Sequence, residues 1–178
     1  MIFEEKTMRC ERIYEGKILN LKIETVELPN KMYSKREIVE HPNGVAIIPI
    51  VDGSMIMVKQ YRKAVDKVML EIPAGILEVN EEPKEAALRE LKEETGYEAE
   101  VIKYLMEFYT SPGYCDEKIY LFLANGLKEG AATPEPGEVV IGEKYPIEEL
   151  TKMVSRGEIV DSKTIIAINI AQNYIRSK

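Results

Sequence analysis

Residues 75–97 read GILEVNEEPKEAALRELKEETGY, and the rest of the chain is organised around them. At 3.6 residues per turn Glu90, Glu93 and Glu94 fall at i, i+3 and i+4, so three carboxylates share one helix face. Like charges so placed repel by roughly a few tenths of a kcal/mol per pair. A divalent cation between them removes that repulsion, and Mg²⁺ takes such carboxylates together with waters and substrate phosphates. The opposite face, Ala86, Ala87, Leu88 and Leu91, is apolar enough to pack on a sheet. Pro83 stands at a first helical position, where its missing N–H does no harm, and Gly96 ends the pattern as a left-handed cap. The spacing predicts a helix over 82–95. The competing reading is a solvated amphipathic helix, because glutamate- and lysine-rich composition is ordinary on a surface.

The whole stretch resembles the Nudix box: a glycine, five residues, a glutamate, seven residues, then Arg-Glu-apolar-x-Glu-Glu-x-Gly-apolar. Gly75, Glu81, Arg89, Glu90, Leu91, Glu93, Glu94, Gly96 and Tyr97 fill every position. Seven of these are fixed residue types, so a chance match is on the order of one in a million. The resemblance covers about residues 42–178 and implies hydrolysis of a diphosphate linked to a nucleoside. It implies Mg²⁺, with Mn²⁺ as the alternative, held by Glu90 and Glu94. Glu93 would share a further ion, and the carbonyl of Ala74 would join the ligands. Arg89 would pair with a box carboxylate and orient it, Glu81 would brace the loop, and Gly75 and Gly96 are structural.

The remainder of the chain sets bounds. Its 178 residues suit one domain, or one with a small appendage, and bury roughly 70% of the unfolded surface. A net charge of −7 argues against a nucleic-acid backbone or an anionic membrane as partner. An anionic substrate then needs metal ions and locally placed Arg or Lys. Cys10 and Cys115, far apart in sequence, read as reduced thiols. The first residues lack the apolar core of a signal peptide, and no apolar run approaches the roughly 18 residues of a membrane span. A cytoplasmic protein is expected. His41 is the only histidine, which excludes a His-based triad or zinc site.

Alternation and turn signals predict strands on both sides of Glu15-Gly16 within 8–28, and another over 34–40. An apolar run over 44–51, the hairpin signal Asp52-Gly53 and a return strand over 54–61 follow. Further strands are read over 68–72, 118–124 and 139–145, and a strand or pair of strands over 98–109. Residues 73–75 read as a turn and residues 126–138 as a flexible loop. Helices close the chain over 146–156 and 163–175. The fold class is α/β: a Nudix-type α/β/α sandwich with a mixed sheet, plus an N-terminal antiparallel strand extension. Residues 1–41 form the extension and 42–178 the hydrolase domain.

Within the Nudix family the chain resembles the ADP-ribose pyrophosphatases. Pro112 lies sixteen residues after Gly96, in the loop TSPGYCDE. The segments EIPAGILE (71–78) and VKQYR (58–62) are typical of that group. The pattern YEGKILNLKIETVELPN…KREIVEHP is similar to the strands that these enzymes exchange across a homodimer. By this resemblance Arg36 and Arg62 contact the diphosphate or flank the adenine, and a guanidinium suits both tasks. Ser111, Pro112 and Gly113 form the substrate loop, Tyr14 stacks on adenine, and Glu117 accepts the terminal ribose hydroxyls. The water-activating base is open among Glu138, Glu135 and Glu93, because Pro136 stands where relatives carry an acid, and by the same resemblance Glu138 would also join the metal ligands. The function implied is Mg²⁺-dependent cleavage of ADP-ribose to AMP and ribose 5-phosphate. The alternatives are another nucleoside diphosphate sugar, a nucleoside triphosphate, or a non-catalytic ADP-ribose sensor.

Overall fold

The structure, a computed structural model, describes residues 3–133 and 139–176. Its contacts divide the chain into two compact units, Met1–Asn43 with Phe108–Lys118, and Gly44–Glu107 with Ile119–Lys178. In the first unit β1 (Lys6–Glu15), β2 (Asn20–Glu27) and β3 (Tyr33–Glu40) form an antiparallel meander in that order. The turn after β1 closes through Gly16 N–H donating to Leu19 C=O, and in the next turn Asn30 Oδ1 accepts Met32 N–H. A Cβ on Gly16 would crowd the Leu19 carbonyl and push the Tyr14 ring aside, so glycine suits that turn. Beside β3, Val39 N–H donates to Tyr114 C=O at 2.7 Å and Asp116 N–H donates to Val39 C=O at 3.2 Å, which zips the segment 110–117 onto the strand end.

In the second unit β4 (Gly44–Val51) and β5 (Ser54–Arg62) form the expected hairpin. Asp52 and Gly53 take φ of 47° and 71°, the paired left-handed conformation of a two-residue turn that matches strand twist. With β6 (Lys67–Glu71), β7 (Ala74–Ile76), β8 (Tyr97–Tyr109), β9 (Lys118–Glu129) and β10 (Val140–Pro146), the larger sheet runs β10-β5-β4-β9-β8, with β6 on β5 and β7 on β4. It is mixed, because β4 and β9 pair in parallel whereas β4 with β5 and β5 with β10 are antiparallel. Val45 and Ile47 of β4 join Ala86, Ala87 and Leu91 of α1 (Pro83–Thr95), with Phe122 and Ala124 of β9, in one apolar cluster. Ala46 and Ile48, which alternate with them, are equally buried. Both faces of β4 are therefore covered, as the centre of a parallel pair requires. The second face meets α3 (Ser162–Arg176), which packs with α2 (Ile147–Ser155).

Two elements depart from the pattern reading. Residues 74–76 add a short strand to β4 instead of turning freely, because the backbone of 44–46 offers them partners. β9 continues through Glu129 and takes the start of the expected flexible loop into the sheet. Residues 97–109 form one strand, β8 (Tyr97–Tyr109). Gly96 caps α1 at φ 76°, with its N–H on Lys92 C=O at 2.8 Å. A Cβ there would also meet the backbone of 130–132, so chain reversal and close approach both demand glycine. Among the described residues no helix is long and apolar enough to cross a membrane.

Candidate active site

The box helix presents its charges at the edge of a cavity of about 350 Å³ lined by Gln60, Arg62, Ala74, Gly75, Glu78, Arg89, Glu90 and Glu93, with Ile76. Arg89 sits among the acids. Its Nε and Nη2 fork onto Glu81 at 2.9 Å each, and its Nη1 donates to Glu90 at 2.7 Å and to Glu93 at 3.0 Å. These pairs raise the arginine pKa, Glu81 contributing most, and the guanidinium holds Glu81 below the ordinary carboxylate value. Glu81 Oε2 also accepts Glu78 N–H at 3.0 Å, which ties the loop before the helix to the arginine.

Gly75 leaves room for Glu90. A Cβ at that position would fall inside the Glu90 carboxylate, so glycine lets the acid approach the β7 backbone. Glu94 is 3% exposed and accepts Ala74 N–H at 3.0 Å. That bond fixes the residue whose carbonyl was expected to serve as a ligand. Thr133 N–H donates to Glu93 C=O at 3.0 Å, which anchors the last described residue before 134–138 to the helix end. Glu135, Pro136 and Glu138 lie outside the described residues.

Glu90, Glu93 and Glu94 and the Ala74 backbone are hard oxygen donors, the chemistry that a divalent cation of the Mg²⁺ type selects. Among the described residues no three acidic, thiol or imidazole groups form a ready cation cage. The Glu90 and Glu93 carboxylates instead share the Arg89 cation. Position 75 nonetheless places Glu90 against the backbone that carries Ala74. The donor set fits a divalent ion.

Arg62 stands at the end of β5 and lines the same cavity. Its Nε and Nη2 fork onto Glu71 at 2.8 Å each, and Lys163 of α3 reaches the same carboxylate. Glu71 is 1% exposed. Burial pushes its pKa up, but the Arg62 bonds and the Lys163 charge outweigh burial and hold it below the ordinary value. Glu71 and Lys163 were not singled out by sequence reasoning. The available signal was a carboxylate ending the strand KVMLE directly before apolar residues, where a buried charge demands a cation.

The remaining candidates belong to the first unit. Arg36, Pro112 and Gly113 line a separate cavity of about 510 Å³ together with Tyr109, Tyr114 and Asp116. Arg36 Nε donates to Glu5 at 2.8 Å, Nη2 pairs with the same carboxylate, and Nη1 donates to Ser34 at 2.9 Å. The Ser111 carbonyl accepts Tyr114 and Cys115 N–H, which shapes the loop. Glu117 accepts the Thr110 hydroxyl at 2.7 Å and lies 3.4 Å from His41 Nδ1. Tyr14 is exposed on β1 and packs over Gly16.

Comparisons with known proteins place this geometry. The NUDIX domain family matches residues 40–165. A methanol dehydrogenase activator of Bacillus methanolicus is 47% identical, with 96% of this chain and 94% of that protein covered. An ADP-ribose pyrophosphatase of Bacillus subtilis is 46% identical, with 95% and 93% covered. A GDP-mannose pyrophosphatase of Yersinia enterocolitica is 33% identical over 77% of each chain. A crystal structure of an ADP compounds hydrolase superposes at a TM-score of 0.89 with 20% identity, covering 99% of this chain and 97% of that one, and supports the fold.

Proposed function

The chain belongs to the NUDIX family, and from that premise we propose that it hydrolyses the diphosphate of ADP-ribose to AMP and ribose 5-phosphate. The observation that carries the reading is the intact box folded around Arg89, with Glu81, Glu90 and Glu93 all on one guanidinium beside the cavity. The nearly full-length likeness to ADP-ribose pyrophosphatases supports the substrate. Glu90, Glu93, Glu94 and the Ala74 carbonyl would hold Mg²⁺, with Mn²⁺ as the alternative. When bound, that ion withdraws charge from the diphosphate and acidifies water.

The chain's own residues do the positioning. Ala74 N–H holds the Glu94 carboxylate in one direction, and Arg89 holds Glu90 and Glu93 where their repulsion would otherwise spread them. The Arg62 edge away from Glu71 serves a phosphate oxygen. Arg36, Ser111, Pro112, Gly113, Tyr14 and Glu117 of the first unit remain substrate-binding candidates on the resemblance to ADP-ribose pyrophosphatases. A glutamate removes the proton from the attacking water: Glu93 from the box, or Glu138 or Glu135 from the late loop. The exposed apolar residues Met8, Ile13 and Tyr14 of β1 support a homodimer that covers this strand. Free Cys10 and Cys115 support a reducing, cytoplasmic setting.

The likeness to GDP-mannose pyrophosphatases favours one second reading, the same chemistry on another nucleoside diphosphate sugar. A panel of ADP-ribose, UDP-glucose, GDP-mannose, NADH, diadenosine polyphosphates and dATP, assayed with Mg²⁺, separates the two. Glu94→Gln is the blank and is expected to keep the fold and lose turnover. ADP-ribose leading by about tenfold in kcat/KM supports the first reading. A different sugar nucleotide in the lead replaces it with the second, and Glu94→Gln activity within about tenfold of wild type removes Glu94 as a ligand.

A further inference from the structure

Two segments that mark the sequence, VKQYR and EIPAGILE, meet through one ion pair: the arginine ending the first and the glutamate opening the second. Arg62 uses Nε and Nη2 on Glu71, the edge-on fork in which two parallel bonds fix the plane of the guanidinium. Among the described residues no hydrogen bond takes the opposite edge, Nη1, which faces a ligand in the proposed function. Arg62 has 40% of its side chain exposed and lines the cavity with Glu90 and Glu93, whereas Glu71 has 2% exposed. The glutamate therefore touches no substrate. It lies behind the arginine.

Behind Glu71 stands a further layer. Lys163, at the start of α3, bonds the same carboxylate and pairs with Asp161 at 3.1 Å. Asp161 Oδ2 accepts both the Thr164 hydroxyl at 2.6 Å and the Thr164 N–H at 3.0 Å. The Thr164 oxygen in turn accepts Ile72 N–H at 2.9 Å, so α3 grips the backbone immediately after Glu71. Ile47 N–H then donates to Pro73 C=O at 2.9 Å, and the next N–H along, of Ala74, is the one on Glu94. Two cations and two carboxylates balance across this half-buried network. Burying a lone Glu71 would be strongly unfavourable, so its presence needs a reason beyond filling space.

We propose that Glu71 is a positioning residue of the reaction, which holds the Arg62 guanidinium towards the diphosphate while α3 holds Glu71. The inference rests on the reading of Arg62 as a phosphate contact. Fixing a long, rotamer-rich side chain before the ligand arrives removes an ordering cost from binding. The loss of Glu71 is therefore expected in affinity more than in the chemical step. Lys163 takes part of the Glu71 charge, so the fork sets direction without Glu71 depending on Arg62 alone.

The test is a double-mutant cycle of Arg62→Ala and Glu71→Gln on ADP-ribose hydrolysis with Mg²⁺, repeated as ADP-ribose affinity by calorimetry in EDTA. Glu71→Gln is expected to raise KM and the metal-free Kd by about fivefold or more with kcat within about threefold, and the double variant to be no worse than Arg62→Ala. Effects that multiply would overturn the proposal, as would a Glu71→Gln variant that loses melting temperature while keeping KM and Kd. Arg62→Lys, which keeps the charge and loses the fork, covers the case in which Glu71→Gln does not fold. It is expected to weaken binding like Arg62→Ala, and wild-type KM in it overturns the role of the fork. Wild-type constants in Arg62→Ala itself would strike at the phosphate reading of Arg62, an outcome distinct from additivity.

Discussion

Each unit of this protein carries an arginine forked onto a glutamate, and the two forks differ in nearly everything but geometry. Arg36 and Glu5 meet in the open, with side chains 40% and 37% exposed. Arg62 and Glu71 share the same edge-on arrangement, but Glu71 is 2% exposed and a lysine stands on its other side. The carboxylate pKa lies below its ordinary value in both pairs. For Glu5 the Arg36 hydrogen bond is the main cause, and for Glu71 burial opposes the shift and is overcome. The same fork therefore does not mean the same consequences. Solvent reaches both partners of the first pair, but in the second it reaches the arginine and not the carboxylate.

The largest expected difference is in stability. Glu71→Ala leaves Arg62 and Lys163 facing a buried gap and is expected to cost about 3 kcal/mol or more in urea denaturation. Glu5→Ala is expected to leave the urea midpoint where it is. Similar losses in both variants would show that burial is not what separates the forks.

An intermediate effect appears with pH. Glu71 has a folded pKa below its unfolded value, so its contribution is full above the ordinary glutamate pKa of about 4.3. It disappears as pH falls through the depressed folded value. The stability gap between wild type and Glu71→Gln should hold constant from about pH 8 to 5 and close in more acidic solution. A gap that instead closes between neutral and alkaline pH would assign the effect to a different group.

The smallest effect sharpens the contrast from the other side. Glu5→Gln is expected to change the melting temperature by less than about 1 °C at low salt, and any difference should vanish near 1 M NaCl, where the Debye length is about 3 Å. The melting difference of Glu71→Gln should largely survive the same salt, because mobile ions do not reach a carboxylate that is 2% exposed. Equal salt sensitivity would erase the distinction.

Much of this was legible from local pattern. The spacing of Glu90, Glu93 and Glu94, the proline at 83 and the glycine at 96 depend only on helix periodicity and capping, and α1 runs Pro83–Thr95 accordingly. Asp52-Gly53 made its hairpin for the same reason, a turn whose backbone needs positive φ. The sites at 74–76 and 126–129 were less legible, since three residues carry no period and a strand extension depends on whether a neighbour offers hydrogen bonds. Of the candidate residues, Arg62, Ala74, Arg89, Glu90 and Glu93 share one cavity, while Arg36, Pro112 and Gly113 share another.

The sequence by itself determined the family, the box helix and the acids on its face, because those follow from neighbours within two turns. It also marked Arg36 and Arg62 as candidates, without distinguishing them. Only the tertiary structure decided that Arg89 collects three glutamates, that Gly75 makes room for Glu90, and that Lys163 meets Glu71 across 92 residues of chain. The physical reason is that a charge takes its value from its surroundings. Which atoms surround it, and whether water is among them, is set by contacts between segments far apart in sequence.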